Sequence, residues 1–431
     1  MKIRLFQASI FLCILFSTNI FAICTNTFVA QVGDDRTALI KFGTVNVAST
    51  YLQPVGTLLA SAVVPSTNYT FNSANASSVL WICDEVDLPL LQFLVATNGD
   101  DRVGGYWDLG RDDGVPDTFA TYFQYVGIKQ SMSGVTLSRF WKAVPVSSFL
   151  RAGNNKIHIR LQDIPPLYAE LYRISRLAPT IGSGSSSCGA TASGQIASGI
   201  YSCLQPNSYI QLRGPGLVSD NVGEDSNIFF RFWPVNNGFG YGMRNVNTLL
   251  HEPTCVARNV TPFVLFKAMS ISELNNNQVA QSNFNVFIEC STSVNSGTAP
   301  GQTAIGFQVS EGALTAATNL GLVNSNSGVS TLLSDRYGTN NIAKGVGIYL
   351  SNANTNETMN FISQPYIASG ALSGWYPVLS GVTGRGIGST ESGYTNYVHT
   401  FTATLKKLTG TTETVTAGQV RSTAYVLVKV Q

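Results

Sequence analysis

The densest grouping of chemically capable side chains runs from Asn98 to Asp117. It carries Asp101, Tyr106, Trp107, Asp108, Arg111, Asp112, Asp113 and Asp117 among turn-forming glycines. Carboxylates and guanidinium groups make planar partners for paired hydroxyls, and an aromatic ring offers a flat apolar face. That combination suits a polyhydroxylated ligand held on loops at the end of a rigid scaffold. The plain alternative is loop structure alone, because Asp and Asn before Gly are ordinary turn chemistry. A calcium loop fits poorly: Asp108, Asp112 and Asp117 lack the regular spacing and the closing glutamate.

Other chemistries find little support. There is no Gly-x-Ser-x-Gly elbow after a strong strand, no HExxH and no phosphate loop. The neighbouring carboxylates Asp112 and Asp113, or Asp84 and Glu85, could serve glycoside cleavage only in the sense that any such pair could. An exported β-rich polysaccharide hydrolase is therefore the alternative function. His158, His251 and His399 are isolated, and no cysteine spacing matches a zinc signature, so neither a metal nor another cofactor is expected. The net charge is +2 without a basic cluster, so nucleic acid is not an expected partner.

The elements that must position these residues are strands. Charged residues make up only 12% of the chain, too few for a series of solvent-facing helices. Short β-branched or aromatic runs recur instead between Gly, Asn, Asp and Pro: Tyr209 to Arg213, Asn227 to Phe232, Phe284 to Glu289, Gly347 to Leu350 and Tyr397 to Leu405. The pattern predicts an all-β protein of β-sandwich type. The stretches Thr118 to Ile128 and Val135 to Trp141 read as core-forming. Trp81 and Trp233 read as core residues, while Trp141 fits either core or site. The chain is too long for one core, so two domains are expected, with a boundary near Thr248 to Thr254: residues 23–248 and 249–431.

Lys2 and Arg4 precede an apolar run from Leu5 to Ile20 that closes on Ala22. This predicts a signal peptide over residues 1–22 and export of the remainder. No later stretch is long and apolar enough to span a bilayer, so no transmembrane segment is expected. Cys13 leaves with the leader, and an even set of cysteines in an exported chain implies disulfides. Their order suggests three local pairs: Cys24–Cys83, Cys188–Cys203 and Cys255–Cys290. The second would clip the Gly/Ser-rich stretch 178–197.

The last fifteen residues read as one strand running to the terminus. Val420, Ala424, Val426, Val428 and Val430 fall on one face, while Arg421, Thr423, Tyr425, Leu427 and Lys429 fall on the other. A β-branched end with no polar tail after it suggests an end that something else must hold.

The opening at Cys255, the strand Phe284 to Cys290 and this closing strand together resemble a chaperone–usher pilin domain. Ala343 to Leu350, Trp375 and Tyr397 to Leu405 resemble its middle strands. The resemblance implies an incomplete Ig-like sandwich over residues 249–431, with Cys255–Cys290 tying its first two strands. It implies that Val420, Ala424, Val426, Val428, Val430 and the carboxylate of Gln431 contact first a periplasmic chaperone and later a donor strand. An outer-membrane usher and an adaptor or major pilin subunit are the further partners implied. The stretch Gly297 to Asn340 is expected to hold extra loops. A large domain, with Cys24 at its start, stands where a shaft pilin would carry its donor strand. That layout resembles a two-domain fimbrial tip adhesin, displayed at the cell surface after transit through the periplasm. A fimbrial shaft subunit is the disfavoured alternative. By the same resemblance residues 23–248 are a lectin-like receptor-binding domain with a host glycan as default ligand, and the protein is not an enzyme.

Overall fold

The computed structural model describes residues 23–180, 188 and 194–431. The expected signal peptide and most of the Gly/Ser-rich stretch lie outside the described residues. The fold is all-β, and its apolar side chains gather into two main cores. One draws on residues between Cys24 and Leu249, the other on residues between Cys255 and Val428.

The first unit is built on a five-stranded sheet in the order Lys142–Pro145, Gln92–Thr97, Ser208–Arg213, Gly238–Gly242, Thr37–Leu39, the last pair parallel. Its central strands are apolar on both faces because both faces are covered. Phe93, Val95, Ile210 and Leu212 enter the main core. Leu94, Ala96 and Tyr209 meet Trp141 and Phe232 on the opposite side. A second sheet places Leu167–Arg173 between Leu58–Val64 and Val126–Met132. Here the alternation is clean: Leu167, Ala169 and Leu171 are buried, while Tyr168 is exposed. Strand Val79–Asp84 pairs with Thr25–Asn26, and Cys24–Cys83 fastens that junction. The closing strand Asn247–Leu250 lies between Gly199–Ile200 and Gly43–Asn46.

The second unit is a sandwich. Its larger sheet runs Cys255–Val260, Ala280–Ser291, Tyr394–Lys407, Val346–Asn352, Thr358–Met359. Cys255 and Cys290 face each other in register and are bonded. The facing sheet centres on Thr303–Val309, paired antiparallel with Ala424–Val430. Phe284, Phe307 and Phe401 meet between the sheets with ring centroids 4.8–5.7 Å apart.

Three sequence expectations are corrected. Ile228 to Phe232 is not a strand but a series of turns. Asp225 takes the amides of Asn227, Ile228 and Phe229 through its carboxylate and carbonyl, and the Asp220 carboxylate takes that of Arg231. Gly297 to Asn340 is not mainly loop, because it contains the central strand Thr303–Val309 and the helix Glu311–Asn319. The final strand begins only at Ala424. Just before it, the Asp335 carboxylate accepts the backbone N–H and hydroxyl of Thr423, bending the chain off the ladder. Cys188–Cys203 is formed, so all three disulfides have the expected partners.

Candidate functional site

The last strand has two faces and two edges. Ala424, Val426 and Val428 lean on the second core, and Val430 is fully buried. Leu427 on the other face meets Ala304, Ile362 and Trp375. One edge pairs with Thr303–Val309 over all seven residues. The other edge pairs with no strand among the described residues.

The chain leaves Cys255–Val260 and continues without a regular element over residues 261–268. The Thr261 amide still bonds the Asn285 carbonyl at 3.0 Å. Among the described residues, the carbonyls of 262–268 and the amides of 263–268 have no backbone partner, and Pro262 has no N–H to offer. Val264 and Phe266 turn inward to the core, while Phe263 and Leu265 stand 79% and 81% exposed. Near the Val430 end of the last strand, the residue ahead of Cys255 meets the start of Thr303–Val309. There Thr254 and Thr303 share a hydroxyl contact of 3.3 Å, and Gln431 exchanges hydrogen bonds with Gly301 and Gln302, each 2.9 Å. The Gln431 side-chain amide is buried with neither polar atom bonded. Towards Ala424 both segments reach one small cluster, where Phe266 and Val420 pack on Leu274, Ala343 and Leu405. One edge of the last strand and the backbone of 262–268 thus both lack a strand partner among the described residues. Of the residues the resemblance singled out, Ala424, Val426 and Val428 are half-buried on the second core and Val430 and Gln431 are buried. Val420 lies ahead of the strand.

The Asn98–Asp117 stretch lies elsewhere, at a loop end of the first unit. Asp101 is buried. Its carboxylate accepts the Val103 amide at 2.8 Å, and its carbonyl accepts those of Gly104, Gly105 and Tyr106 at 3.1–3.2 Å. This wide turn presses Gly105 against the strand: a Cβ there would lie 2.4 Å from the Asn98 nitrogen. Asp108 accepts the amides of Asp117 and Thr118 and pairs with Arg111 at 2.9 Å. Asp113 accepts the amide and hydroxyl of Ser175, both at 2.7 Å, and Asp112 pairs with Arg176. Asp117 adopts a positive φ of 60°. Trp107 packs on the main core.

Tyr106 has a different setting. The Arg139 guanidinium lies 4.5 Å from its ring centre, 5.6 Å from the Phe140 ring, and pairs with Asp225 at 3.0 Å. Phe140 is 47% exposed. Beside it Arg231 stacks on Phe229 and binds Glu224, and that hydrogen bond holds the Glu224 carboxyl down at about 2. Trp141 is core. The sequence reading passed over Arg139, Phe140, Asp225 and Arg231. The one signal for them was a cationic residue beside an aromatic run, which occurs twice, at Arg139 and at Arg231. Among the described residues no cluster of His, Cys, Asp and Glu could hold a metal.

The two units touch directly. Tyr51 of the first donates to Glu289 at 2.8 Å, packs on Tyr394 with ring centres 4.7 Å apart, and its carbonyl accepts from Arg258 at 3.1 Å. Burial pushes the Glu289 carboxyl up, but hydrogen bonds from Ser389, Arg258 and Tyr51 outweigh it and hold the group below the ordinary range. Further along, the Lys429 amine donates to the Phe42 and Pro365 carbonyls. A cleft of about 330 Å³ opens between Val63, Pro65 and Ile164 on one side and Val309, Leu314 and Gln364 on the other.

Residues 245–431 match the family model described as Fimbrial protein. A comparison with curated proteins returns no match. Among solved structures, the chain is similar to the P pilus rod subunit PapA at 16% identity and a TM-score of 0.23, over 42% of this chain and 92% of that one. It is also similar to the CupB6 tip adhesin from Pseudomonas aeruginosa at 11% identity and a TM-score of 0.23, over 95% of each chain. No helix among the described residues is long and apolar enough to cross a membrane.

Proposed function

We propose that this protein is the tip adhesin of a chaperone–usher fimbria. The observation that carries the reading is the unpaired backbone of residues 262–268 and of one edge of the last strand, which together would wall a slot. It offers unpaired backbone on both sides and apolar side chains below, which is what an extended donor strand needs. In the cell a periplasmic chaperone fills it first, and the donor segment of an adaptor or major pilin replaces the chaperone at the usher. The residues ahead of Cys255 support a terminal position: strand Asn247–Leu250 is locked between two neighbours and is no free donor. The unit that ends with strand Asn247–Leu250 then acts as the receptor-binding domain and the unit from Cys255 onward as the pilin domain, exported through the periplasm and carried at the fimbrial tip.

The receptor is a glycan, bound without catalysis at the loop end where Tyr106, Arg139, Phe140 and Asp225 combine an aromatic face with paired charges. The test of assembly is a donor peptide fused after Gln431. The fusion should be soluble without chaperone, whereas the unfused chain should not. Equal solubility of the two removes the slot as a donor site. The test of binding is a glycan array with Arg139→Ala and Phe140→Ala, which should each lose at least tenfold in signal. Unchanged binding moves the site elsewhere on the first unit.

A further inference from the structure

The outer face of the last strand is turned to the first unit, and Lys429 is its most unusual residue there. Lys429 is half-buried, and its amine reaches into the junction between the two units. It donates at 2.9 Å to the Phe42 carbonyl of the first unit and at 2.8 Å to the Pro365 carbonyl of the second. Among the described residues no carboxylate pairs with it. A neutral amine has two N–H groups and meets two acceptors here. An ammonium has a third N–H and a full charge, and no carboxylate among the described residues meets that charge.

The surroundings add no compensating charge. Lys41 precedes Phe42, and its amine lies over the Tyr366 ring at 6.0 Å from the centre. The Tyr366 hydroxyl, next to Pro365, is itself pushed up by burial and stays neutral. The partner strand Thr303–Val309 and the strand Gly43–Asn46 carry no titratable side chain. The Tyr376 hydroxyl accepts from the Asn360 amide, Arg258 is turned to Glu289, and His251 is held by the Val47 and Ala197 carbonyls.

We propose that Lys429 is a proton-operated latch between the two units, docking them when its amine is neutral and loosening them when it is protonated. Docking buries the amine without a counter-ion and so expels a proton. Undocking hydrates the amine and takes a proton up. The direction of the shift agrees: burial lowers the Lys429 pKa from 10.5 to about 7 in the docked form. The undocked form binds more protons between those values, so docking strengthens as pH rises through that window. Below it both forms are protonated and docking stays at its weaker limit. In mid-window the docking constant should change by nearly tenfold per pH unit, on the order set by one proton.

The test is small-angle scattering of the full chain from pH 6 to pH 10. The wild type should become more compact as pH rises. Lys429→Met, which keeps the stem without the charge, should stay compact throughout. Lys429→Arg, charged at every pH, should stay extended. A wild-type profile that is flat over this range overturns the latch. So does a Lys429→Met profile that keeps the wild-type midpoint, because a merely structural lysine would leave the pH dependence in place. The result does not depend on whether the protein binds a glycan or ends a fibre.

Discussion

The two units handle exposed backbone in opposite ways. In the first, the central sheet is covered on both faces, and the turns from Asp220 to Phe232 wrap its outer side. Its closing strand Asn247–Leu250 is paired on both edges. In the second, the last strand is paired on one edge only and faces an extended segment without a ladder. The first unit's closing strand has no free edge, while the second unit's last strand has one edge without a strand partner among the described residues. Such an edge is open to pairing with another chain unless charges, bulges or a covering segment blunt it.

The largest expected effect comes from charging the last strand. Val426→Asp and Val428→Asp together should abolish recovery of a donor-peptide complex, since each replaces an apolar burial of about 1.5–3 kcal/mol with a charge in an apolar slot. In thermal melts of the full chain the transition of the first unit should be untouched, because no change falls in that unit. A melt that shifted as much as the complex did would show that the units are not independent.

Next comes Gly105→Ala in the first unit. With a Cβ 2.4 Å from a backbone nitrogen, the turn must move, at about 1–3 kcal/mol. The melting temperature should fall while donor-peptide affinity stays the same. A smaller effect is expected at Glu289. Against the upward push of burial, hydrogen bonds from Ser389 and Arg258 of its own unit, and from Tyr51 of the other, hold it below its ordinary range, so its contribution to folding stability is present above the unfolded value of 4.5 and is lost as pH falls through the lowered one. Glu289→Gln should remove this acid-side loss, seen in the melting temperature between pH 5 and pH 3. The smallest is Asp113→Ala, which gives up two hydrogen bonds to Ser175 for about 1 kcal/mol. It should cost stability without costing ligand binding, in contrast to Arg139→Ala.

The second unit was the more legible in sequence because its signals are local. Period-2 alternation found Phe284 to Cys290, Tyr397 to Leu405 and the end of the chain. The first unit hid its plan. Asn227 to Phe232 has strand composition, yet Asp220 and Asp225 take the amides a strand would have used. Nothing in the pattern reveals a carboxylate arriving from several residues away. The same blindness applies to the Asn98–Asp117 stretch. Its residue types suit a ligand, but most of its carboxylates are spent on Val103, Thr118, Ser175 and Arg176. Arg139 and Asp225 reach Tyr106 only through folding, so spacing along the chain gave no hint of the group. Lys429 looked like one more surface position on an alternating strand, and only the neighbouring unit makes it an enclosed amine.

The Cys255–Cys290 bond has a mechanical consequence. A pull on the first unit arrives at the second through residues 251–254 and so meets Cys255 before any other part of the sandwich. Without the bond, tension would unzip Cys255–Val260 from its neighbour one hydrogen bond at a time. With it, the load crosses a covalent link into Ala280–Ser291, which is laddered along its whole length to Tyr394–Lys407. The force is then shared in shear across twelve paired positions instead of concentrated at a peeling tip. Reducing that single bond should lower the rupture force of a tethered molecule far more than it lowers the melting temperature.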